Sequence, residues 1–116
     1  MSDAALGIAV AVRQAVEFYQ ASRRKAERRE KGRVDFVQTV QVRTEDGKSF
    51  TVLTRDLSET GIRLVGTRPL RGQLITVLVP VGATSIEFKV RILWTCPVGE
   101  DLVENGGSFL SALAPG

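Results

Sequence analysis

"TSIEFKVRILWT", residues 84–95, carries the clearest periodicity in the chain. Ile86, Phe88, Val90, Ile92 and Trp94 fall on one face, and Glu87, Lys89, Arg91 and Thr95 on the other. A period of two is that of a β-strand with one buried side. Working backwards, "QLITVLVP" (73–80) reads as another strand, bounded by the breakers Gly66–Gly72 and Pro80–Gly82. Earlier strands are expected at about Gly61–Val65 and Ser49–Leu57, the latter preceded by the hairpin turn "TEDGKSF", in which Asp46-Gly47 supplies positive φ. The first strand begins at Val34, with Val34, Phe36, Val40 and Val42 on one face, interrupted by Gln38. Beyond a turn at Pro97–Asp101, a last strand is expected over about Leu102–Ala112. Six short antiparallel strands imply a mainly β fold, a small barrel or sandwich, and exclude a parallel α/β fold.

Before Val34 the character changes. The first 27 or so residues have no proline and no glycine after Gly7, and are rich in Ala, Gln, Glu and Arg, which predicts one helix. The expected division is an N-terminal helix over 1–27 and a β-barrel domain over 28–116. Ile8, Val12, Ala15 and Tyr19, with Ala5, Ala9 and Val16, form an apolar stripe. That stripe either packs on its own domain or pairs with a second copy, making a homo-oligomer.

Composition narrows the function. The formal charge is +3, yet "RRKAERREKGR", residues 23–33, holds seven cations and two acids, leaving nine cations and eleven acids elsewhere. The basic character is local, as at a site. One cysteine, Cys96, and no histidine leave no set with metal-ligand spacing, so neither a metal nor a cofactor is expected. The uncharged run Ala4–Val12 is too short to span a membrane, where roughly 18 residues are needed. A cytoplasmic location is expected. Catalysis has little to stand on, since Ser58 close to Asp56 has no histidine or nearby lysine to take its proton.

Two patterns remain. Arg28-Arg29 followed by Arg33 gives R-R-x-x-x-R, and "DLSETG", residues 56–61, gives D-x-S-x-x-G between the second and third strands. Arginine's planar fork suits phosphate oxygens and the O6/N7 edge of guanine. Each pattern alone is common: arginines four apart recur in any basic helix, and Ser and Gly are ordinary turn residues. Their conjunction is specific, with the two motifs separated by residues 34–55 inside a six-strand pattern.

Together they resemble the PilZ domain, the bacterial receptor module for cyclic di-GMP, over about residues 28–112. "ILWTCPVGEDLVENGGSFL", residues 92–110, resembles that family's late aromatic strand, turn and closing strand. The resemblance implies a six-stranded antiparallel β-barrel preceded here by an α-helix. It implies a non-enzymatic sensor that holds cyclic di-GMP on the barrel's outer surface, between Arg28, Arg29 and Arg33 and the turn residues Asp56, Ser58 and Gly61. Arginines suit the ligand's phosphates and guanine edges, and Asp56 suits the guanine N–H donors; Ser58 donates or accepts at short range, and Gly61 serves a tight backbone path. Arg63, exposed by parity beside the turn, is an auxiliary candidate. Trp94 shares the parity of Ile92, which places it in the core, while the family adds ligand contact by a late-strand aromatic as a second role.

A competing reading is a PilZ-fold adaptor for a downstream protein partner that binds no nucleotide. Binding to DNA or RNA is disfavoured, because aromatics are sparse at 6% and are not interleaved with basic residues.

Overall fold

In the computed structural model, which describes residues 5–23 and 34–114, the alternating stretch lies in the longest strand of a closed sheet. In chain order the elements are β1 (Ala5–Leu6), α1 (Ile8–Arg23), β2 (Val34–Asp35), β3 (Thr39–Thr44), β4 (Ser49–Leu57), β5 (Gly61–Gly66), β6 (Leu74–Val81), β7 (Thr84–Gly99) and β8 (Leu102–Leu113). The hydrogen-bonded order β8-β5-β4-β3-β6-β7 returns to β8 through β7–β8 pairing, so six antiparallel strands close a barrel as expected. Closure pairs the main strands on both sides. Ile86, Phe88, Val90 and Ile92 point inward and are buried with Val40, Val42, Leu57, Ile62, Leu64 and Val77. The Phe88 and Phe109 rings meet at 4.7 Å.

The sequence boundaries hold for β4 and nearly so for β5 and β6, and Gly47 takes φ 90° in the β3–β4 hairpin. The expected turn at Pro97–Asp101 is shorter than read: β7 runs on to Gly99, and Asp101 takes φ 61° before β8. The first expected strand is split. β2 pairs with β4 at Val34–Leu57 and Asp35–Asp56, and the ladder resumes only at Thr39. Across the gap the buried Thr54 hydroxyl donates to the Phe36 carbonyl and accepts from the Gln38 N–H at 2.9 Å, while Thr54 N–H donates to the Gln38 carbonyl at 2.9 Å. The Thr54 side chain thus supplements the backbone bonds Thr54 N–H to Gln38 carbonyl and Phe36 N–H to Arg55 carbonyl where the strand is interrupted.

The N-terminal expectation needs correction. Ala5–Leu6 form a strand paired with Leu113–Ala112, and the helix starts only at Ile8. Pairing of β5 with β8 stops at Gly61–Ser108, so the later residues of β8 have an edge that β1 covers. The helix's apolar stripe packs on its own barrel: Ala11, Val12, Ala15, Val16 and Tyr19 join the same buried cluster as the strands, against β6 and β8. Tyr19 also ties the helix to the start of the barrel. Its ring lies 4.9 Å from that of Phe36, and its hydroxyl accepts from the Val37 N–H at 3.1 Å. The 27/28 boundary lies outside the described residues. Among those described, no helix is long and apolar enough to cross a membrane.

Thr54→Val keeps the shape of the bridge and removes its hydroxyl. It is expected to lower unfolding free energy by about 1–3 kcal/mol, read by urea denaturation, because the buried groups it joins lose their partner.

Candidate functional site

The turn from Ser58 to Gly61 joins β4 to β5 and is closed by the Ser58 N–H donating to the Gly61 carbonyl at 2.9 Å. The Ser58 hydroxyl accepts from the Thr60 N–H at 3.1 Å and lies 3.0 Å from the Thr60 hydroxyl. Glycine is needed at 61 for a steric reason. A Cβ there would sit 2.2 Å from the Gly107 carbonyl oxygen, in the neighbouring backbone of β8.

One step inward from the turn, register lines up a row across the outer wall. Asp35 faces Asp56, Asp56 faces Arg63, Arg63 faces Gly106, and Gly106 faces Trp94. Neighbouring strands lie about 4.8 Å apart, so the three steps from Asp56 to Trp94 span roughly 14 Å. Asp56 is only 7% exposed, and Arg63 grips it with two prongs: Nε donates to Oδ1 at 2.8 Å, and Nη2 donates to Oδ2. That hydrogen bond is the main reason the Arg63 pKa is raised above its ordinary value, with the charges of Asp56 and Glu104 adding to it and burial opposing.

The cluster extends to residues the sequence reading did not single out. Glu104, on β8 and 5% exposed, accepts from Arg55 Nη1 at 2.6 Å through Oε1, and its Oε2 lies 3.8 Å from Arg63 Nη1. Arg55 is free to reach across because it is the extra residue of a bulge, where pairing passes from Thr54–Leu64 to Asp56–Arg63. Two carboxylates and two guanidiniums alternate along the wall. Nothing local in "VENGG" announces this; it follows from the pairing of β5 with β8.

Trp94 corrects the parity reading. Ile92 pairs with Gly107 and Trp94 with Gly106, so Leu93 is an extra residue that reverses the alternation. Trp94 therefore leaves the core and is 40% exposed, beside Leu93 at 57%. Its indole lies over Gly106, where a Cβ would come within 2.1 Å of the ring. The result is a surface cleft of about 230 Å³ lined by Ile62, Arg63, Leu93, Trp94, Gly106 and Gly107.

Of the residues expected at the site, Asp56, Ser58, Gly61, Arg63 and Trp94 thus lie on one wall of neighbouring strands. Arg28, Arg29 and Arg33 lie outside the described residues. The wall can accept hydrogen bonds at its acids and the turn hydroxyls, and can offer an indole to a planar group. Among the described residues, no group of three or more His, Cys, Asp or Glu side chains could hold a metal ion.

The two glycines should respond differently to alanine. Gly61→Ala meets rigid backbone and is expected to cost about 1–3 kcal/mol in denaturant unfolding. Gly106→Ala meets a side chain that can swing away, so its clearest sign is a shifted tryptophan fluorescence maximum, with a smaller loss of stability.

No curated protein matches the chain. A family model for the PilZ domain matches residues 22–111, from the end of α1 to near the end of β8. With the closed six-stranded barrel and most of its length matched, the chain belongs to the PilZ domain family, whose members are in general non-catalytic receptors for cyclic di-GMP.

Proposed function

We propose that the protein is a cyclic di-GMP receptor that couples ligand capture by Arg28, Arg29 and Arg33 and by the Asp56–Gly61 turn to a change at its N-terminal helix. The observation that carries this reading is the β2–β4 register. Val34, covalently next to Arg33, faces Leu57, which adjoins Ser58. Motifs separated by residues 34–55 in sequence therefore have adjoining attachment points.

In this reading Arg29 and Arg33, with Arg28 beside them, bind the two phosphates and the O6/N7 edges of the guanines. Asp56 and Ser58 take guanine N–H donors; a carboxylate accepts up to about four hydrogen bonds, so Asp56 can serve Arg63 and a base together. Gly61 allows close approach to the turn, and Trp94 and Arg63 flank a base in the cleft. Ligand binding has a direct route to the helix, because Tyr19 grips Phe36 and Val37, just after the arginine segment rejoins the barrel. Val10 and Phe18, exposed on the helix, are the apolar residues through which a second copy or a downstream partner would be met.

Titration calorimetry with cyclic di-GMP tests this. If each charged contact contributes about 1.5–3 kcal/mol, Arg29→Ala and Arg33→Ala should each weaken binding by about ten- to a hundredfold. Affinities equal to the parent's would remove the arginines from the site. No binding by the parent would favour the adaptor reading.

A further inference from the structure

The motif residues do not explain why a second carboxylate is buried on the outside of the barrel. Glu104 is covered by two arginines from neighbouring strands, Arg55 at 2.6 Å and Arg63 at 3.8 Å. Stability alone is a poor reason for it, since buried ion pairs often hold a protein no better than well-packed apolar side chains do. Its position is informative. Glu104 lies two residues before Gly106 on β8, on the side of Arg63 away from the turn.

Asp56 fixes one edge of the Arg63 guanidinium through Nε and Nη2, and the remaining Nη1 lies 3.8 Å from Glu104 Oε2, an ion pair longer than a hydrogen bond. Asp56 sets the plane of the guanidinium, the charge of Glu104 attracts its free end, and Arg63 forms a wall of the cleft opposite Trp94. The geometry points to Glu104 as a positioning residue for nucleotide binding, one that touches no ligand and acts by holding Arg63 against the cleft, with Arg55 as its outer clamp. This inference rests on the reading of the same wall as the cyclic di-GMP surface.

Coulomb attraction works in the opposite direction, which makes the test sharp. Glu104→Gln removes a negative charge near a ligand carrying two, so charge alone would tighten binding; loss of positioning weakens it. Glu104→Asp keeps the charge and withdraws the carboxylate by one methylene. Calorimetry with cyclic di-GMP should show both variants binding about two- to fivefold more weakly than the parent at unchanged stoichiometry, as expected for loss of one partly exposed ion pair. In an Arg63→Ala background neither change should weaken binding further, and Glu104→Gln should show only the tightening that its lost charge brings.

Unchanged or tighter binding by Glu104→Asp would overturn the inference, as would an equal loss in both backgrounds. A variant that is partly unfolded reveals itself as lowered stoichiometry. In that event Arg55→Ala, which leaves both buried carboxylates in place, should weaken binding in the same direction, and no loss would overturn the inference. If the parent itself binds no cyclic di-GMP, the functional reading fails first and this inference falls with it.

Discussion

The pairing of β7 with β8 closes the barrel, and the outer wall depends on how it does so. Two long strands cannot follow a tightly curved barrel in regular register, and here the pairing shifts at Lys89/Val90, Ile92/Trp94 and Pro97/Gly99. Opposite the middle shift stand Gly106 and Gly107, which leave room on the two sides of β8. A Cβ on Gly107 would strike Val90 and Ile92 inside, and one on Gly106 would strike Trp94 outside. The bend that completes the core therefore also turns an aromatic outward.

The same wall shows how charge is divided. Arg55, Glu104, Arg63 and Asp56 are two cations and two anions held close together, so the described part of the surface brings little net attraction for an anion. The surplus lies in residues 23–33, where seven cations meet two acids. Long-range attraction thus belongs to one segment and is screened by salt over about 8 Å at physiological ionic strength. Shape and hydrogen-bond geometry belong to the barrel.

Much of this was legible in the sequence, for identifiable reasons. Alternation in "SIEFKVRI" and "ITVLV" gave the strands and their inward faces because one side of each is fully buried. The turn within D-x-S-x-x-G was legible because its own hydrogen bonds are local to residues 58–61. Strand β1 was not, because two residues carry no period and Ala5–Leu6 pair only where β8 offers an edge. The parity of Trp94 misleads because a single extra residue, Leu93, reverses the faces that follow it as far as the next shift at Pro97/Gly99. Glu104 was invisible because its partner Arg55 is 49 residues away and meets it only through the three-strand register of β4, β5 and β8.

The contact between Tyr19 and Val37 has a further consequence, in chain entropy. Because the helix end and the start of the barrel are clasped there, residues 24–33 are bounded by two anchored ends, and the fold itself sets how far apart those ends lie. Bringing those ends together is part of folding and makes no demand on a ligand. For any flexible connection between anchored ends, each doubling of length adds only about 0.6 kcal/mol. The arginine-bearing stretch can therefore change in length and spacing over evolution with little effect on the stability of the barrel.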